Sequence, residues 1–387
     1  MTEAVIVSAG RTPIGKAFKG SLIDARPDDM AAHVIRTLLD RLPELDPAEV
    51  DDVVLGAVVG AAEQGYNIGR AAGLLAGLPD SVPGATVNRM CASSLQAIRI
   101  AHHSITMGEA HVVVAGGVES ISRTGGSSFK ATDANPRFID EVRKDFVNHY
   151  YLPMGLTAEN VAERYGVTRE EMDSFAKTSQ DRAVAAQANG SFDAEIIPYP
   201  LKDGSLLTRD DGPRPGTTLE GLGQLKPVFK PDGKVTAGNA CPLNDGAAAV
   251  IVMSDTRARE LGIRPLARIV ASAVSGVAPE LMGIGPIDAV RKVLAHTGMS
   301  IRDIGVVELN EAFAAQVIPV CRELEIDVDE QLNPHGGAIA LGHPYGMTGA
   351  RIMTALLNDM HQLDRQFGLE TMCVGGGQGM AMVVERL

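Results

Sequence analysis

Apolar positions along this chain fall into short, nearly unbroken runs, separated by longer stretches with helical spacing. Residues 4–9 (AVIVSA) form one such run, which suits a strand buried on both faces. A helical stretch follows over about 28–42 and begins at the acidic pair Asp28 and Asp29. Residues 51–59 (DDVVLGAVV) read as a second buried strand, and 93–107 as a helix rich in Ala, Ile and Leu. HVVVAGGVES then reads as a strand running into a glycine turn. Strands alternating with helices predict an α/β fold with a largely parallel sheet.

The texture changes between about 120 and 244. Two helical stretches, 156–165 and 169–189, lie among polar segments bearing Gly and Pro. Pro198, Pro200, Pro213, Pro215, Pro227 and Pro231 crowd the part that follows. This reads as an inserted cap or loop domain. Regular alternation returns at GAAAVIVMS (246–254). The last third echoes the first: GVVELNEAF (305–313) starts like DDVVLGAVV, and MCVGGGQGMAMVVE (372–385) resembles VVVAGGVES. A helix of about 15 residues precedes that strand in each half. A two-fold internal repeat explains the echo and predicts one site at the seam.

At 387 residues the chain is too long for one ordinary core. Apolar residues make up 45% and charged ones 21%, a globular balance, but aromatics are only 4% and Trp is absent. The core must therefore be aliphatic. A formal charge of −13 argues against nucleic-acid partners and anionic membrane surfaces. Four cysteines without CxxC spacing fit neither a zinc ribbon nor a disulfide scaffold and point to a reducing, cytoplasmic setting. The segment MTEAVIVSAGRTPIG has no secretory signal pattern, and no apolar run is long enough to span a bilayer.

Four segments carry candidate chemistry. In VNRMCASSLQAI, Cys91 falls between an extended stretch and a helix, where free N–H groups and the helix dipole lower a thiol's pKa and make a nucleophile. A buried structural cysteine is the commoner fate of such a residue, and Ser93 and Ser94 fit simple helix caps. NPHGGAIALGHPYGMTGAR sets His335 and His343 among glycines, as ligand-facing base candidates or as solvated loop residues. TMCVGGGQG brings Cys373 to Gly375, Gly376 and Gly377, whose N–H groups suit an oxyanion; the alternative is a core Cys before a hairpin. In ELNEAFAAQ, Asn310 is either an N-cap or an amide that positions a water or carbonyl oxygen. Cys91, Cys373 and His343 lack metal-ligand spacing, so no metal site is expected.

Taken together, RTPIGKAFKG, VNRMCASSLQAI, VAGGVESIS, MGLTAENVA, TAGNACPLNDGAAAV, NEAFAAQ, GGAIALGHPYGMTGAR and CVGGGQGMA resemble the thiolase family along essentially the whole chain. The resemblance implies two βαβαβαββ halves in a five-layered αβαβα core. It divides the chain into an N-terminal half (1–119 plus 245–263), an inserted loop domain that binds CoA (120–244) and a C-terminal half (264–387). It implies Cys91 as acyl carrier, His343 as its base and Cys373 as a second acid/base. One oxyanion hole would use Asn310 with a water and His343, the other the N–H groups of Cys91 and Gly375. CoA, a substrate rather than a bound cofactor, would meet Arg214, Met154, Cys241, Met282 and Phe313. Thiolases are dimers or tetramers, so a homo-oligomer is expected, although the loop between 124 and 153 is unlike a clear tetramerisation loop. Departures from the family are Cys91-Ala92-Ser93-Ser94 in place of CysGlySerGly, Cys241-Pro242 in place of Ser-Gly, and His335 in place of Asn. Tyr345 and Met347 stand where smaller residues are usual.

Two rival readings stay open at this point. A decarboxylating condensing enzyme of the ketoacyl-synthase type shares the wider fold but usually pairs its Cys with two His, or His and Asn. A non-catalytic acyl-CoA-binding subunit would have no need of Cys91, His343, Cys373 and Asn310 together.

Overall fold

The computed structural model describes residues 2–125, 130–138 and 149–387. The expectation about the loop between 124 and 153 falls partly outside them. The strands are β1 (Ala4–Arg11), β2 (Gly15–Lys16), β3 (Asp52–Gly56), β4 (Gly84–Val87), β5 (Val112–Ser120), β6 (Tyr199–Pro200), β7 (Leu206–Leu207), β8 (Asn244–Ser254), β9 (Ala267–Gly276), β10 (Val306–Leu309), β11 (Phe367–Val374) and β12 (Gln378–Arg386). The helices are α1 (Pro27–Asp40), α2 (Ile68–Leu75), α3 (Ser93–Thr106), α4 (Ile121–Thr124), α5 (Met154–Arg164), α6 (Arg169–Asn189), α7 (Leu219–Gly223), α8 (Asp255–Leu261), α9 (Gly285–Thr297), α10 (Ala314–Leu324), α11 (Ala338–Leu341) and α12 (Thr348–Gln362). No described helix is long and apolar enough to cross a membrane.

The main strands run in the order β10-β11-β12-β9-β1-β8-β5-β3-β4. The duplication is visible in this order. In the first half β3 pairs in parallel with β4 and β5, and β8 lies antiparallel between β5 and β1. In the second half β10 pairs in parallel with β11 and meets Leu332 in a parallel bridge, while β12 lies antiparallel between β11 and β9. A short antiparallel contact, Val5 opposite Arg268 and Ile6 opposite Ala267, joins the halves.

The expectation of a largely parallel sheet does not hold, because most ladders are antiparallel. The reason is connectivity. Strands joined through a crossover helix must run parallel, as β3, β4 and β5 do around α2 and α3. β12 returns from β11 by a tight hairpin, and β8 returns after the long insert. Each of these two runs against its neighbours and sits between them.

Three apolar clusters define the layers. One packs α1 and α2 on the outer face of the first half-sheet, as Ile35, Leu38 and Ile68 against Val53 and Val114. Another packs α9 and α10 outside the second, as Val290 and Val317 against Leu369 and Val383. The third lies between the half-sheets, where α3 and α12 meet through Leu95, Ile98, Met353 and Leu356. That is the five-layered core. Its residues are mostly aliphatic or thioether, with Phe175, Phe192, Phe313 and Tyr199 among the few aromatics.

The two central helices approach closely at their N-termini. A Cβ on Gly349 of α12 would lie 2.3 Å from the Leu95 backbone nitrogen of α3. Gly349→Ala is therefore expected to destabilise the protein by about 1–3 kcal/mol through overpacking against backbone. The shift of the denaturant midpoint measures this, and an unchanged midpoint would refute the close approach.

Candidate active site

Cys91 stands between β4 and α3 at a bend in which Met90 takes φ +46°, an unusual conformation for a side-chain-bearing residue. The bend is held from three sides. Met90 N–H donates to Asn88 Oδ1 at 2.8 Å, Arg89 N–H donates to Ser93 Oγ at 2.9 Å, and the Ser93 hydroxyl donates to Met90 O at 2.6 Å. Ser93 thus closes the bend rather than capping α3. Ser94 reaches across the seam, where its Oγ accepts Ala350 N–H of α12 at 2.9 Å.

The thiol is not pre-ionised as its place at a helix start predicts. Burial pushes Cys91 up to about 11, although the N–H groups of Gly375 and of Cys91 itself face the sulfur. Removing a thiolate from water outweighs what two N–H groups return. A resting thiol in this site therefore needs a base.

His343, which lines the same cavity as Cys91, is a candidate for that base. Its Nδ1 lies 2.6 Å from Thr348 Oγ1, and the single hydroxyl proton of Thr348 goes to Pro344 O at 2.8 Å. Nδ1 must then carry the ring proton, which leaves the lone pair on Nε2. Burial, with the charge of Arg351 adding to it, pushes His343 down to about 3, so the ring rests neutral. The Asn310 amide lies 3.4 Å from Nε2, and Asn310 Oδ1 is buried without a hydrogen-bond partner. Asn310 is not an N-cap: β10 ends at Leu309 and α10 starts at Ala314.

The loop carrying His343 is tied to both halves. His343 N–H donates to Asn244 Oδ1 at 3.0 Å, and Gly346 N–H donates to the buried carboxylate of Glu119 at 2.9 Å. Glu119 also accepts Val58 N–H, Val59 N–H and the Gln64 amide. A Cβ on Gly117 would meet Gly346 O at 2.0 Å, so the loop lies directly on the end of β5. Upstream, Glu311 anchors the same loop through Ser179, Asn333 and Ile339 N–H. Glu119, Asn244 and Thr348 were not singled out from the sequence, and Glu311 was noted beside Asn310 without a role. For Glu119, Asn244 and Glu311 the available signal was a polar residue at or just beyond the end of an apolar strand; Thr348 opens α12 and gave none.

Cys373 lies near the end of β11, opposite Gly379 of β12, and is fully buried. The thiols of Cys91 and Cys241 face it, and burial holds it well above the usual thiol value. Cys91, His343, Cys373 and Gly375 all line one cavity of about 850 Å³, with Met154, Cys241, Met282 and Phe313 also in its wall. Arg214 is exposed and lies outside that wall. His335 turns away, its Nδ1 lying 2.5 Å from Asp359 Oδ1. Lys226 and Lys230 are exposed surface residues.

A duplicated half-sheet architecture with this seam matches known proteins over the full chain. The family model described as the thiolase N-terminal domain matches residues 4–256, and the thiolase C-terminal domain matches residues 263–386. The chain belongs to the thiolase family. Curated thiolases agree end to end. A beta-ketoadipyl-CoA thiolase of Acinetobacter baylyi is 45% identical, with 100% of each chain covered. A 3-ketoacyl-CoA thiolase of Bacillus subtilis is also 45% identical over 100% of each chain. The crystal structure of the Bacillus anthracis acetyl-CoA acetyltransferase superposes with a TM-score of 0.90 at 40% identity, covering 100% of this chain and 99% of that one.

Several departures of this thiolase from the usual family residues have a place in the fold. Ser93 and Ser94 hold the Cys91 bend and the α3–α12 contact. Tyr345 lines the cavity with its ring edge-on to His343, at 5.1 Å between centroids. Cys241 adds a third thiol to the wall and is tied by its N–H to Ala312 O at 3.0 Å. Among the described residues no three His, Cys, Asp or Glu side chains gather into a group that would hold a metal ion.

Proposed function

We propose that this thiolase transfers acyl groups between thiols through a thioester on Cys91, cleaving or forming the bond between C2 and C3 of a 3-oxoacyl-CoA. The observation that carries the reading is the convergence of Cys91, His343 and Cys373 on one largely apolar cavity.

In the cleaving direction His343 Nε2 takes the Cys91 proton as sulfur attacks the C3 carbonyl. The developing oxyanion lies near the N–H groups of Cys91 and Gly375. The C2–C3 bond then breaks, its electron pair passes to the C2 side as an acetyl-CoA enolate, and Cys373 supplies the proton at C2. The enolate oxygen is held by His343 and by a water accepted on Asn310 Oδ1, the buried acceptor that has no partner of its own. A CoA thiol next gives its proton to Cys373 and attacks the acyl-Cys91 carbonyl; the bond to the Cys91 sulfur breaks, the shortened acyl-CoA leaves, and His343 returns its proton to the Cys91 thiolate. Every step is reversible, so metabolite ratios set the direction.

Met154, Cys241, Met282 and Phe313 would flank the pantetheine and acyl groups. Arg214, outside the cavity and close enough to Lys16 to influence its charge, would meet the CoA phosphates. CoA is a substrate here, and no cofactor is held covalently. The division into two halves and a loop domain at 120–244 belongs to the same reading, as do a homodimer or homotetramer and a cytoplasmic location, which the four free cysteines suit.

The test is mass spectrometry of the protein after incubation with acetoacetyl-CoA and no free CoA. One acetyl group is expected on the peptide containing Cys91, removable by added CoA. Labelling of Cys241 or Cys373 in its place would overturn the assignment.

A further inference from the structure

Resting on that reading, we propose that the cavity selects an uncharged, apolar 3-oxoacyl group and rejects one that ends in a carboxylate. Overall likeness does not decide this, because relatives named for a beta-ketoadipyl substrate and relatives named for 3-ketoacyl substrates stand at the same identity. The walls do.

The cavity is where the chain spends its scarce aromatic residues. Of nine Phe and six Tyr in the sequence, Phe229, Phe313, Tyr150, Tyr151 and Tyr345 line it, together with thioether and aliphatic side chains. Tyr345 is fixed, since its neighbour Gly346 is bonded to Glu119 and its ring rests edge-on against His343. Gly376 lets Tyr150 close in, because a Cβ there would lie 2.8 Å from that ring. These are rigid apolar faces. At roughly 30 Å³ for a water-sized group, the space exceeds what an acetyl group beside a pantetheine arm needs.

Charge points the same way. Among the described wall residues only His343 is able to carry a positive charge, and burial beside Arg351 keeps it neutral. The buried carboxylates nearest the cavity are Glu119, whose field reaches both Cys91 and Tyr345, and Glu311, whose field reaches Cys241. Arg351, the buried cation whose field reaches His343, lies outside the wall and is matched by Glu308, Asp359 and Glu370. An acyl carboxylate entering here would lose its water, gain no cation from the described wall and meet the fields of Glu119 and Glu311.

The experiment compares three substrates sharing a six-carbon 3-oxoacyl chain in the thiolysis direction: 3-oxohexanoyl-CoA, 3-oxoadipyl-CoA and the terminal methyl ester of 3-oxoadipyl-CoA. The neutral hexanoyl substrate is expected to exceed the carboxylate in kcat/KM by at least about 100-fold, with the ester restored to within roughly tenfold of the hexanoyl substrate. Equal or better use of 3-oxoadipyl-CoA overturns the substrate proposal while the acyl-transfer reading stands. An ester as poor as the acid overturns it too, since length or polarity would then be the cause. If none of the three is cleaved while acetoacetyl-CoA still acylates Cys91, the substrate proposal falls and the acyl-transfer reading stands; if acetoacetyl-CoA also fails, both fall.

Discussion

Replacing Cys91 by Ala is expected to lower kcat/KM for CoA-dependent cleavage of 3-oxoacyl-CoA by roughly 10⁴-fold or more. The cavity keeps two further thiols, Cys241 and Cys373, so the result is informative about which sulfur carries the acyl group. Cys91 alone has two N–H groups, its own and that of Gly375, facing its sulfur. Those donors stabilise negative charge at and beside that atom, and Cys241 and Cys373 sit in more strongly unfavourable surroundings for a thiolate. The substitution removes one sulfur from a half-buried position, so the folded state should persist, as an unchanged denaturant midpoint would verify. Substantial residual turnover in the variant would move the nucleophile to another thiol. The check is the initial rate with acetoacetyl-CoA and with a long-chain 3-oxoacyl-CoA, wild type beside variant.

The second large effect concerns His343. Cys91 is an acid held up at about 11, so it stays protonated through neutral pH. Without a base, the reactive thiolate near pH 7.5 would be only about one part in several thousand, since each pH unit below the pKa costs a factor of ten. His343→Asn is therefore expected to reduce kcat/KM by about 10³-fold at that pH. The residual activity carries a sign that can be tested. It should rise about tenfold per pH unit as the solution approaches the thiol value, because hydroxide then does what the imidazole did. Wild type should show no such slope between pH 6 and 9, roughly midway between the His343 value of about 3 and the Cys91 value of about 11. A variant that keeps wild-type activity, or one whose residual rate is flat with pH, would remove His343 from the role of base. Thr348→Val serves as a partner measurement. It leaves Nε2 in place but removes the group that fixes the ring proton on Nδ1, so a smaller loss, on the order of 10- to 100-fold, is expected.

Local pattern carried much of this fold. The apolar run at 4–9 became β1, the helical spacing at 169–189 became α6 with its bounds unchanged, and the echo between the thirds is the duplication of β3 in β10 and of β5 in β11. Such runs are legible because burial on both faces of a strand leaves no polar positions to break them. The direction of the ladders was not legible. It depends on β8 and β12 inserting between strands far from them in sequence, and a strand reads the same whichever way its neighbour runs.

The site divides along the same line. The sequence by itself determined which groups were available: Cys91, His343 and Cys373 in glycine-bearing segments, with Asn310 beyond a strand end. Local position also predicted a thiol lowered by the helix start. Tertiary burial reversed that, because desolvation is set by what packs around the sulfur, and those atoms come from both halves of the chain. The same holds for Glu119 and Thr348, which acquire meaning only when the loop at 343–349 lies on the end of β5. It holds for His335, a base candidate by its glycine-bearing loop that the fold turns to Asp359. Residue type and spacing are written along the chain. Dielectric, proton location and the company a side chain keeps arise only when distant segments exclude water together.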